Sequence, residues 1–155
     1  MAKFNKKNYM KITSTEKWVY YTADNYYGFD PKKVGKWMYF YYDVNQADAY
    51  CRMAVDNCIT NRAKHSNAAS GICGFYVDIG DNDGHRRVIK FLLDNDLVRR
   101  TASGRLFDIA FKYEVSDYFG DFGEATLPKL KLSDFVDLDS GEMLPTADYV
   151  QESFL

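Results

Sequence analysis

Residues 63–83, AKHSNAASGICGFYVDIGDND, decide the fold. Ala63 to Ser66 read as the end of an amphipathic helix, and Asn67 to Ser70 as a small polar loop. Gly71 then opens an apolar strand. In it Cys73, Phe75, Val77 and Ile79 point one way and Gly74, Tyr76 and Asp78 the other, because side chains alternate across a strand. Gly74 leaves room for close approach of a backbone or ligand. Asp81 or Asp83 supplies the cap of a second helix.

Upstream, Gly35–Asp43, GKWMYFYYD, has the aromatic density that a pleated sheet accommodates. Trp37, Tyr39 and Tyr41 lie on one face and Met38, Phe40 and Tyr42 on the other, so the strand is expected to be central and covered on both sides. Asp43 with Gln46 forms an N-cap pair. Ala47, Tyr50, Cys51, Ala54, Val55, Cys58 and Ile59 then follow helical spacing. Ile12–Thr22 reads as a first strand and residues 24–34 as turns around Asp30-Pro31.

Downstream, Val88, Ile89, Leu92 and Leu93 form the apolar stripe of the second helix. Residues 97–101 and 105–115 read as a β-hairpin about Ala102-Ser103-Gly104. Tyr118–Gly123 reads as a loop, and Leu130–Leu138 as a short edge strand. The expected fold class is α+β: a curved, mainly antiparallel sheet with two helices packed on one face. A ferredoxin-like split βαβ is the alternative. A single domain is expected across 1–155, with residues 1–11 and about 143–155 flexible.

Composition narrows the class. Of the 155 residues, 46% are hydrophobic and 17% aromatic, with 13 Tyr and 11 Phe, which excludes general disorder and points to half-buried sheet positions and a contact surface. No apolar run approaches the roughly 18 residues of a membrane span, and MAKFNKKNYM lacks a secretory apolar region, so a cytoplasmic protein without membrane contact is expected. Three cysteines without a CxxC suggest free buried thiols, with no metal or cofactor implied. Charge is uneven: residues 1–113 hold 18 Lys/Arg against 12 Asp/Glu, whereas residues 114–155 hold 2 against 10. A basic body suits an anionic partner, and it equally suits attraction between the two halves.

The order GKWMYFYYD, helix, AKHSN, GICGFYV, helix, FKYE resembles the phosphothreonine-lyase-domain proteins, whose fold is similar to that of the cap-binding translation initiation factor. Gly35, Lys36 and Trp37 match the family's first element, Ala63 and Lys64 its second, and Lys112 its third. The resemblance covers roughly residues 34–120 and implies a cap-binding-like fold more than an activity. Trp37 resembles a strand tryptophan of that factor and Trp18 has no counterpart, so cap recognition is not implied. His65 and His85 do not reproduce a lyase motif. The AKHS…FYV…HRRVI…FL pattern is also similar to proteins of bacterial and phage genomes, which implies a mobile-element role such as inhibition of a host defence.

Several residues suit an anion. Lys64, His65 and Ser66 offer an amine, an imidazole and a hydroxyl, although at a helix end Lys and His also complement the dipole. Arg86 and Lys90, four apart, share a helix face and can clamp one phosphate, whereas Asp81 and Asp83 are competing local partners. Arg99, Arg100 and Arg105 beside Tyr39, Tyr41 and Tyr76 resemble the ingredients of a nucleic-acid surface, but a pI near 5.7 opposes strong backbone binding. No nucleophile stands with a base, and no catalytic residue is assigned. The expected function is non-catalytic binding of a nucleotide or other phosphorylated ligand by Lys36, Lys64 and Lys112. Trp37 or Tyr39 would stack, with His65, Ser66, Arg86 and Lys90 contributing. A protein-interaction module directed at a bacterial protein, such as a phage inhibitor of a defence effector, and a lyase or phosphoesterase using Lys64 and His65 are the alternatives.

Overall fold

The structure, a computed structural model, describes residues 9–114 and 127–146. Its elements are β1 (Met10–Ser14), β2 (Trp18–Ala23), β3 (Val34–Tyr41), α1 (Val44–Asp56), β4 (Arg62–Ser66), β5 (Gly71–Asp78), α2 (Asn82–Asp94) and β6 (Lys112–Tyr113). The six strands form one sheet in the order β1-β2-β4-β5-β3-β6, and every neighbouring pair is antiparallel. The fold is α+β, with both helices on one face. The path β3–α1–β4–β5–α2–β6 inserts β5 between β3 and β4. The connectivity of the central strands is therefore a split βαβ, which the β1–β2 hairpin extends beyond β4.

Strand alternation fixes what faces the helices. Tyr21, Ala63, Phe75 and Trp37 are successive cross-strand partners, so they share a face, and all are buried. Above them lie Ala47, Cys51, Ala54 and Val55 of α1, and Val88, Ile89, Phe91 and Leu92 of α2. Phe75 is stacked on Tyr39 and edge-on to Phe91, which knits strand to helix. Truncating such a ring to alanine costs about 3–5 kcal/mol. Asp43 caps α1, its Oδ1 accepting from Asn45 N–H, and Asp81 caps α2, accepting from Gly84 N–H at 2.9 Å.

Several expectations are corrected. Residues 62–66 are not a helix end but strand β4, because α1 stops at Asp56 and Cys58 takes a positive φ of 58°. Cys58 is exposed; Cys51 and Cys73 are buried free thiols with their sulfurs 3.3 Å apart. The single strand expected over 12–22 is a hairpin of β1 and β2, and Met10 and Lys11 belong to it. β3 is not covered on both sides along its length: Phe40 is 60% and Tyr42 81% exposed. The hairpin over 97–115 is reduced to one bridge, Arg100 with Leu106, before β6. Instead of a strand, residues 130–138 contain a 3-10 turn at Leu132–Asp134 and the bridging residues Lys131 and Val136. Met143 and Leu144, expected to be flexible, bond back to the 135–136 segment. The loop expected at Tyr118–Gly123 lies outside the described residues.

Candidate ligand-binding face

The sheet face turned away from the helices carries the charge. Register places Lys11 beside Thr22 and Thr22 beside Arg62. It places Tyr76 beside Lys36 and Lys36 beside Lys112. The adjacent row runs Thr13, Tyr20, Lys64, Gly74, Met38. Strands far apart in sequence thus bring Lys36, Arg62, Lys64 and Lys112 onto one surface, where alternation keeps them clear of the apolar core. Lys36 and Lys112 are directly opposed, a like-charge pairing that is unfavourable by itself. Glu114 stands 3.6 Å from the Lys36 amine; Asp78 is a second acid, at the strand's end.

Lys36 and Lys64 are only 2% and 3% exposed. Their stems are buried and aromatic rings receive their amines. Lys64 Nζ lies 3.8 Å from the Trp18 ring centroid and 5.7 Å from that of Tyr76, and Lys36 Nζ lies 5.8 Å from the same Tyr76 ring. Contacts of this kind contribute about 0.5–2 kcal/mol each, more when desolvated, and offset part of the cost of burial. Gly74 eases the arrangement, since a Cβ there would stand 3.1 Å from Lys36 Cδ and the lysine stem would have to shift by a few tenths of an ångström. The opening expected at Gly74 is filled by the lysine stem.

Arg62, which no sequence pattern singled out, is the centre of the face. Its guanidinium lies 4.5 Å from the Tyr20 ring, 5.5 Å from Tyr26 and 5.7 Å from Tyr76, and donates to the Tyr26 hydroxyl at 3.3 Å. Its Nε is buried without a hydrogen-bond partner. It lines a cavity of about 160 Å³ with Tyr20, Tyr26, Phe29, Pro31, Val34, Tyr76 and Glu114. Burial, and then the neighbouring Glu114 carboxylate, push the Tyr76 hydroxyl well above the ordinary phenol range, so it stays a neutral donor. The aromatic density around 18–26 was the one signal that bore on this cluster.

The other expected site residues are elsewhere. Trp37 and Tyr39 are core residues, 0% and 7% exposed, and cannot stack on a ligand. Trp37 Nε1–H donates to His85 Nδ1 at 3.1 Å, and His85 Nε2–H donates to the Ile79 carbonyl. His65 also points to the helix side. Its Nδ1 faces the Ser66 carbonyl at 2.7 Å and its Nε2 the Tyr21 hydroxyl at 2.9 Å, which donates to Asp48 at 2.5 Å. Burial would raise Asp48, but the Tyr21 hydroxyl and the Arg52 guanidinium outweigh it and hold the carboxyl below its usual range. Lys64 and His65 therefore occupy opposite faces and cannot act on one substrate. The Ser66 hydroxyl accepts from Ile72 N–H at 3.0 Å and closes the β4–β5 turn. On α2, across the sheet, Arg86 donates to the Leu144 carbonyl and Lys90 pairs with Asp94 at 2.8 Å. Each thus has a partner of its own on the helix side of the sheet.

Comparison with protein-family models, with curated proteins and with solved structures gives no match. Among the described residues no helix is long and apolar enough to cross a membrane, and no three His, Cys, Asp or Glu side chains stand where they could hold a metal ion.

Proposed function

We propose that the protein binds an anionic ligand, a nucleotide or other phosphorylated small molecule, on the sheet face opposite the helices, without catalysing its turnover. The observation that supports this is the unpartnered, buried Nε of Arg62 in a cavity it lines with Tyr20, Tyr76 and Glu114, on the sheet face that also carries Lys36 and Lys64. A planar guanidinium held between aromatic rings is suited to fork-like contact with phosphate or carboxylate oxygens. About 160 Å³ admits one such group but not a drug-sized ligand, whose pockets span roughly 300–1,000 Å³. The anionic group of the ligand enters the cavity, and the remainder lies over Tyr20 and Trp18. The stacking role once expected of Trp37 and Tyr39 passes to these two.

Thermal unfolding in the presence of ATP, inorganic pyrophosphate and glucose 6-phosphate tests the reading. Stabilisation by at least one is expected, approaching about 2.7 kcal/mol at a hundredfold excess over Kd, and Arg62→Gln should abolish it. No stabilisation by any of the three at about 10 mM contradicts the proposal. Exposed Tyr27, Phe40 and Tyr42, 97%, 60% and 81% accessible, favour a second reading, a module that binds a bacterial protein such as a defence effector. A protein partner captured equally by wild type and Arg62→Gln would favour it.

A further inference from the structure

β1 is an outermost strand of the sheet, paired on one side only. Asp24 N–H donates to the Tyr9 carbonyl at 2.9 Å, and Thr15 N–H donates to the Trp18 carbonyl at 2.7 Å. These bonds bracket the ladder with β2, in which Met10 opposes Ala23 and Ser14 opposes Val19. Hydrogen-bonded pairs alternate along an antiparallel ladder, so Tyr9, Lys11, Thr13 and Thr15 turn their backbone groups to β2. Met10, Ile12 and Ser14 turn theirs away from it, where no partner stands among the described residues. Residues 11–14 are exposed.

The apolar layer under the helices stops unfinished at the same edge. Ile12, Tyr21, Ala63, Phe75 and Trp37 are successive cross-strand neighbours in one row. The last four are at most 1% exposed, whereas Ile12 is 39% exposed. The strand has no proline, and its single charge, Lys11, lies on the opposite face, so little prevents it from pairing. MKITS is also self-complementary. Antiparallel pairing about a two-fold axis at Ile12 overlaps all five residues: Met10 meets Ser14 of a second copy, Lys11 meets Thr13, and Ile12 meets Ile12. The Ile12 pair is then of the hydrogen-bonded kind, and it carries the apolar row from one copy to the next. Axes at Lys11 or Thr13 overlap only three residues of β1, and the first sets two ammonium groups directly opposite each other. An axis at Ile12 leaves the two Lys11 side chains diagonal and in solvent, where salt screens them.

We infer that a second copy of this chain docks on β1 edge to edge, forming a two-fold dimer whose sheet runs through both copies with Ile12 at the axis. The contact is isologous and closes after two copies, because each chain offers β1 once. It uses none of the residues that line the Arg62 cavity and stands or falls independently of anion binding.

Sedimentation velocity from about 1 µM to about 500 µM is expected to show a monomer–dimer equilibrium with a Kd of about 100 µM or tighter. Ile12→Lys opposes two ammonium groups at the axis and should weaken the dimer about tenfold or more. Phe40→Lys, at an exposed side chain of β3, should leave it unchanged. Amide exchange of the wild type provides a readout that needs no variant to fold. Exchange at Met10, Ile12 and Ser14 should slow as concentration rises, while that at Lys11 and Thr13, whose amides already face β2, stays constant. A monomer at about 500 µM, or a dimer that a folded Ile12→Lys leaves intact, overturns the inference. So does a dimer lost in Phe40→Lys instead, or exchange at Met10, Ile12 and Ser14 that ignores concentration.

Discussion

His85 shows how much a single buried polar group commits the fold. It is 1% exposed, and both ring nitrogens are used, one accepting from Trp37 and the other donating to Ile79. Trp37→Phe keeps an aromatic ring but removes the donor, leaving Nδ1 without its partner. A loss of about 1–3 kcal/mol in urea unfolding is expected, and an unchanged midpoint would contradict that role. Burial also pushes the His85 imidazole below its ordinary value, against the opposing pull of the Ile79 carbonyl, Asp81 and Asp78. The unfolded chain then takes up a proton near pH 6.5 that the folded chain resists. Its contribution is full above about pH 6.5 and declines as pH falls, so urea midpoints should drop between about pH 7.5 and 5.5. A flat profile over that range would count against it. At this scale the sequence misled where neighbours in the chain were taken as neighbours in space. Lys64 and His65 are adjacent, yet strand alternation sends one to the open face and the other into the core.

Legibility differed from one element to the next. α1 and α2 were readable because each combines an acidic cap with a helical apolar stripe. β5 was readable from its alternation. β4 was not: its inward residues are Ala63 and His65 and its outward ones Arg62, Lys64 and Ser66, so the burial of the Lys64 stem leaves no hydrophobic period to detect. β6 is only two residues long, too short to show a period. The cap of α2 provides a test at this scale. Asp81→Ala removes the acceptor for Gly84 N–H and leaves only an exposed Arg87 contact of 3.8 Å to lose besides. A cost of about 0.5–2 kcal/mol is expected in urea unfolding, against no change if α2 is held by packing alone.

For the whole molecule, the fold class followed from mixed helical and strand periods, but the strand order did not. β2 pairs with β4, and β3 with β5 and β6, across long intervals of chain that local patterns cannot join. The candidate face depends on that order. Lys36, Lys64 and Lys112 were grouped by a resemblance and share this face by register, whereas Arg62 became visible only once β4 lay between β2 and β5. The central claim is that this face, and not the helix layer, receives negative charge. A two-dimensional NMR titration with inorganic pyrophosphate tests it most directly. The account predicts saturating shifts together at the amides of Tyr20, Lys36, Arg62, Lys64 and Tyr76, with α1 and α2 undisturbed. Shifts confined to Arg86 and Lys90 on α2, or none at all, would contradict it.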